Sequence, residues 1–167
     1  MPRARTLAYM ETGRTPHWHA AIWAGLIAGL VFIVVEMLLL RFAAGVSPWL
    51  PLRIIGALLL GPAVLPPPVS FDTSAFLAAM LVHFGLAVLY GLILAYLIFR
   101  LDDGPTLLLG ALFGLALYFV NYYGFTALFP WFVLLRSWIV LADHVLFGLT
   151  AAWAYKLLAR REMQHAM

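Results

Sequence analysis

Four stretches of this chain are each long and apolar enough to cross a bilayer as a helix. They lie near Ala20 to Leu40, Thr73 to Phe99, Thr106 to Phe129 and Phe132 to Leu158, and crossing roughly 30 Å of hydrocarbon takes about 20 mostly apolar residues. Composition excludes the soluble alternative. Of 167 residues, 65% are hydrophobic and 10% charged, with a mean hydropathy of +1.01, where ordinary globular domains carry roughly 25% charged residues. Ten basic and seven acidic side chains are too few to coat a soluble core of this size. The expected fold class is an all-α integral membrane protein, with a single domain over residues 1–167 folded as a four-transmembrane-helix bundle in contact with the lipid bilayer.

Between the first two spans, Pro51 to Pro68 is apolar but short, carries Arg53 early and ends in a proline run that stops a helix. The segment predicts an interfacial or re-entrant helix on one side of the membrane. Asp103-Gly104-Pro105 predicts a turn between the second and third spans, and Phe129-Pro130-Trp131 a very tight one between the third and fourth. Such turns lead one to expect that sequence neighbours pack as antiparallel neighbours.

Basic residues near span ends orient the bundle, because cytoplasmic loops are enriched in Lys and Arg. Arg3, Arg5, Arg14, Arg100, Lys156, Arg160 and Arg161 fall on one side; Arg41, Arg53 and Arg136 fall on the other. Both termini are therefore expected in the cytoplasm, with the Pro51 to Pro68 segment opposite them. Trp49, Trp131 and Trp138 would mark the outer interface, and Trp18, Trp23, Tyr96, Trp153 and Tyr155 the inner one. The basic N-terminus is read as part of the first span and not as a signal peptide, since its apolar run exceeds a typical h-region and contains Glu36. The arginines are scattered without an aromatic platform, so no nucleic-acid partner is expected.

Ionisable side chains within a bilayer are costly and are functional-site candidates by default. Here they are Glu36, His83 and the Asp143-His144 pair, joined by the amide Asn121. At about 1.5 Å of rise per residue, Glu36, His83, Asn121 and Asp143 all fall between roughly 3 and 9 Å outward of the midplane. A common depth on helices of alternating direction predicts one shared interior polar site. Asp143 and His144 are about 100° apart around their helix, so one of them is expected to face elsewhere, towards a neighbouring protein. Arg136, two turns outward of Asp143, is available as a counter-charge to Asp143 or Glu36, or as a snorkelling interfacial arginine.

Gly25 and Gly29 are spaced as GxxxG on the first span, as are Gly110 and Gly114 on the third. Such faces let helices approach closely. Glu36 follows the first pair at the same distance as Asn121 follows the second, and the even spans each carry a histidine, His83 or His144. This suggests two helix hairpins related as a pseudo-repeat, although glycine pairs are also common in apolar spans.

Three uses of the polar residues remain open. His83 and His144 are suited to be axial ligands of a b-type haem. They are also suited to hydrogen-bond Glu36, Asn121 or backbone carbonyls and lock the bundle, which is the favoured use, or to join Glu36 and Asp143 in a proton or ion relay. Asn121 to Phe125 suggests a cavity for an apolar ring such as a quinone, or aromatic packing near the outer belt. His17 and His19, at i and i+2, diverge on a helix, so no metal site is expected of them. The chain has no cysteine, which excludes disulfides, iron–sulfur clusters and thiol nucleophiles, and no catalytic motif such as GxSxG or HExxH is present. The expected role is non-enzymatic: an accessory or assembly component of a larger membrane complex or a homo-oligomer. The alternatives are a small carrier or channel using the polar layer, and a haem-binding electron-transfer protein.

The segments GLIAGLVFIVVEMLLL, SPWLPLRIIGALLLGPAVLPPP, MLVHFGLAVLYGLILAYL, NYYGFTALFPWF and DHVLFGLTAAWAYKLL together resemble a family of small uncharacterised proteobacterial inner-membrane proteins, some automatically labelled sodium:proline symporter. The resemblance covers nearly the whole chain. It implies a bacterial inner-membrane location and a helical fold, and carries over no site residues. A sodium-coupled symporter of the class in that label is built from many more spans around broken helices.

Overall fold

A computed structural model describes residues 15–65, 67 and 69–165. Arg3, Arg5, Arg14, Pro66, Pro68 and Met167 lie outside the described residues. The elements are α1 (Trp18–Phe42), α2 (Leu50–Leu60), α3 (Thr73–Ile98), α4 (Asp103–Phe119) and α5 (Trp138–His165), with no strand among the described residues. Four helical segments are long and apolar enough to cross a membrane: α1, α3, α4 with its continuation to Ala127, and α5.

Local chemistry sets the helix ends. Asp72 caps α3 by accepting from the Ala75 N–H at 2.8 Å, and Pro51 occupies the first turn of α2, where a missing N–H costs nothing. Gly61 ends α2 at φ 78°, a conformation that L side chains resist, and Pro62 follows it. The Asp72 carboxyl is held below the usual carboxylate range by the Ala75 N–H, then by the Ser74 hydroxyl, with Arg53 adding a smaller effect.

The bundle is held by close approach of small residues. Ala20, Ala21, Ala24 and Ala28 of α1 form one buried cluster with Ala151, Ala152 and Ala154 of α5 and with Ala87 and Ala95 of α3. A Cβ on Gly25 would run into the Ala87 carbonyl of α3, and one on Gly114 into the His144 backbone of α5. Gly29 and Gly110 are equally closely packed, against His83 and Ala87 in one case and Gly148 and Ala152 in the other. Both glycine pairs thus act as close-approach faces, each towards a histidine-bearing helix.

The packing order corrects one expectation. α1 packs extensively on α5 and on α3, and α4 on α5, but α3 and α4, though consecutive, barely touch. A twofold exchange of the pairs α1/α3 and α4/α5 would map the extensive α1/α5 contact onto α3/α4. That interface is the one left open, so any such symmetry is broken along this seam.

α2 lies against the start of α3, with Gly56 on Ala75 and Leu52 in a cluster with Ala79 and Ile33. It caps this end of the bundle. Arg53 is buried here and binds backbone: Nε donates to Ser70 O at 2.8 Å and Nη1 to Val64 O at 3.0 Å, with Asp72 at 3.8 Å. At the opposite, terminal end Arg160 pairs with Asp103, and Lys156 donates to Leu101 O.

Two boundaries also differ from expectation. The third span leaves regular α-helix at Phe119, and the fourth begins as an α-helix at Trp138, well after Phe132. Between them Pro130–Leu135 is a 3₁₀ segment, where the sequence predicts only a very tight turn. Tyr155, expected in the inner aromatic belt, is buried and accepts the His17 backbone N–H at 3.2 Å, while Trp18, Trp23, Tyr96, Trp138 and Trp153 are exposed.

Candidate functional site

The site is built where α4 loosens. Val120–Gly124 winds as a π-helix and Phe125–Ala127 as a 3₁₀ turn. The Tyr122 carbonyl accepts from Arg136 Nε at 2.7 Å and from the Thr126 hydroxyl. Arg136 Nη2 also donates to Thr126 Oγ1 at 2.9 Å, and the guanidinium lies 4.1 Å over the Tyr123 ring. Arg136 therefore satisfies the widened turn and is not the counter-charge to Asp143 or Glu36. Its extended backbone precedes α5, so a projection along one helical face does not apply. Such π turns are frequent at functional sites.

Widening points Asn121 and Tyr122 inward, and a hydrogen-bonded chain crosses three helices. Tyr90 of α3 donates its hydroxyl to Asn121 Oδ1 at 3.1 Å. Asn121 Nδ2 faces His144 Nε2 at 3.3 Å, and His144 Nδ1 lies 2.8 Å from Val140 O. A carbonyl only accepts, so His144 carries its proton on Nδ1, and Nε2 accepts from the Asn121 amide. Every link has a donor and an acceptor.

His83 belongs to the same layer but not to that chain. Its Nε2 donates to Gly29 O at 2.8 Å, and the Phe32 ring packs against both histidines, with centroids 5.5 Å from His83 and 4.8 Å from His144. This geometry does not fit an axial haem pair, because both Nε2 atoms are already engaged in hydrogen bonds. Among the described residues no group of three or more His, Asp or Glu is arranged to hold a metal ion.

Glu36 and Asp143 form a second pair. They are 0% and 1% exposed and lie within electrostatic reach of one another. No carboxyl oxygen of either has a hydrogen-bond partner among the described residues. The buried Tyr122 is close enough to feel both carboxyls, and its ring packs 5.4 Å from that of His144. Asp143 and His144 are both buried within the bundle, so neither faces a neighbouring protein; the 100° between them separates a carboxyl pair from an amide–imidazole chain.

A cavity of about 80 Å³ lies beside the chain, with Val82, Leu86 and Tyr90 of α3 on one side and Leu117 and Asn121 of the α4 segment among its other lining residues. Its polar lining is His83, Tyr90, Asn121, Tyr122 and His144, and its walls include Phe32, Phe125 and Phe147, with Ile55 and Leu58 of α2 closing the capped end. Tyr90 is the residue that sequence reasoning missed as a site member, whereas Asn121, Tyr122 and Phe125 belong to the segment read as a cavity lining or as aromatic packing. The amide in an apolar span was the available signal for Tyr90, since a buried Asn needs partners. His17 and His19, expected to diverge, instead meet on Glu162, at 3.1 Å and 3.2 Å to its two oxygens. They converge because His17 precedes the first helical turn.

No protein-family model, curated protein or solved structure matches this chain.

Proposed function

We propose that this protein is a four-span bacterial inner-membrane protein, with both termini cytoplasmic, that binds a lipid-soluble small molecule entering sideways between α3 and α4. The observation that carries this reading is the seam. Two consecutive helices leave a gap where their neighbours pack, and the gap leads to the Tyr90–Asn121–His144 chain. Evolution of a bundle for stability alone would fill such a gap, because unpacked space forfeits dispersion contacts. Glu36 and Asp143 are buried from solvent, so a conducting path for ions has less support than a binding role. A non-enzymatic accessory role beside a larger membrane complex is compatible with the same site, the guest being held for that partner.

The test is extraction of the protein purified in mild detergent, with mass spectrometry of the bound small molecules, beside the seam-filling variant Leu86→Trp. Wild type should retain a lipid-soluble compound in excess of bulk lipid, and the variant should lose it at unchanged helicity. Identical, bulk-like extracts from both would overturn the reading.

A further inference from the structure

Resting on the seam reading above, we propose that the cavity receives the head of a hydroxylated aromatic ring carried on a hydrocarbon tail, a molecule of the phenol or quinol class. Size is the first argument. A cavity of about 80 Å³ is smaller than the roughly 150 Å³ that takes up a benzene ring in an apolar core, so the head is no larger than a single ring, with part of the guest lying in the seam. The walls suit a flat guest: Phe32, Phe125 and Phe147 line it, and aromatic rings favour offset or edge-to-face partners. The tail leaves through the open seam.

The unspent hydrogen-bonding capacity decides between heads. His83 gives its Nε2 proton to Gly29 O, so a neutral ring leaves Nδ1 as an acceptor. Tyr90 gives its proton to Asn121 and keeps its oxygen lone pairs. Asn121 gives one amide proton to His144 and keeps the other. With the hydroxyl of Tyr122, which lines the same cavity and can both donate and accept, the site offers three acceptors and two donors. A guest with only carbonyls would serve the donors and leave the acceptors unmet. A ring hydroxyl donates to His83 Nδ1 or Tyr90 Oη, and its oxygen accepts from Asn121. An acidic head would be desolvated with no Lys or Arg among the described residues of the cavity lining to offset its charge.

The experiment titrates the full chain in mild detergent with four tail-matched probes: an alkylhydroquinone kept reduced, its benzoquinone, a fatty acid and an alkylamine. Thermal midpoint and direct calorimetry are the readouts. The hydroquinone should bind about tenfold more tightly than any other, the factor expected of one net hydrogen bond or slightly more. His83→Phe should lower its affinity about tenfold, and Tyr90→Phe is the second variant should the first fold poorly. Binding led by the amine, the fatty acid or the quinone, and lost in Leu86→Trp, overturns the ring-hydroxyl assignment and leaves the seam standing. An absence of binding by every probe, with Leu86→Trp indistinguishable from wild type, overturns both.

Discussion

Glu36 on α1 and Asp143 on α5 lie within electrostatic reach of each other, and all four of their carboxyl oxygens are buried without a hydrogen-bond partner among the described residues. Burying two acids side by side costs stability unless something positive is shared between them. Replacing both with apolar groups of similar volume, Glu36→Met with Asp143→Leu, should leave the thermal midpoint in detergent equal or higher, by the equivalent of about 1–4 kcal/mol. A clear fall would show that a bound cation or proton makes the pair a net tie between α1 and α5.

Gly148 and Gly85 are matched opposites. A Cβ on Gly148 would run into the Gly110 backbone, whereas one on Gly85 meets nothing within 4 Å. Gly148→Ala should therefore destabilise by about 1–3 kcal/mol, the usual cost of forcing volume into a packed interface. Gly85→Ala should stabilise by up to about 1 kcal/mol through helix propensity. Equal midpoints for the two variants would contradict the close α4/α5 approach.

Arg136 holds the widened turn of the α4 segment through the Tyr122 carbonyl and the Thr126 hydroxyl. Arg136→Ala should cost about 1.5–3 kcal/mol, as charged hydrogen bonds to a part-buried acceptor do. Arg136→Lys should recover only part of that, because an ammonium lacks the fork that reaches both oxygens. Asn121 sits within the same turn, so the Ala variant should also weaken ligand retention. Full rescue by lysine would reduce Arg136 to a simple charge.

How much of this was legible depends on whether a feature is local. Apolar length placed the helical segments, and the glycine pairs announced their close contacts, because both follow from sequence spacing alone. The α3/α4 gap was not legible: a tight Asp103-Gly104-Pro105 turn fixes chain direction but not which flanks touch, and α4 gains more by packing its glycines on α5. Arg136 was misplaced because regular periodicity was extended through Phe132 to Ser137, where Pro130 opens a 3₁₀ segment instead. The common polar layer was visible as depth, but its division into Glu36 with Asp143 and Asn121 with His144 depends on side-chain direction.

Asp72 gives the pH dependence. Its folded-state carboxyl is held below the usual range by the Ala75 N–H and Ser74 hydroxyl, so it binds a proton less readily folded than unfolded. The stability it contributes is present above the unfolded carboxylate range and is lost as pH falls through the depressed folded value. Thermal midpoints in wild type should fall on acidification through that window, and Asp72→Asn should flatten this limb while leaving the neutral-pH behaviour of the rest of the bundle. An unchanged acid limb in the variant would assign it to other groups.

Orientation is the last expectation. Arg100, Lys156, Arg160 and Arg161 gather at the terminal end, where α3 and α5 finish, whereas Arg41, Arg53 and Arg136 lie at the capped end. Of the latter three, Arg53 and Arg136 are engaged with backbone carbonyls, which weakens them further as topology signals. Positive charge close to span ends is retained in the cytoplasm, so the terminal end should face inward and α2 outward. A fluorescent-protein fusion at Met167 should be bright, and alkaline phosphatase inserted at Ser70, beside the short connection that leads into α3, should be active. Phosphatase activity at Met167 with none at Ser70 would invert the bundle and place the mouth of the seam nearer the opposite leaflet.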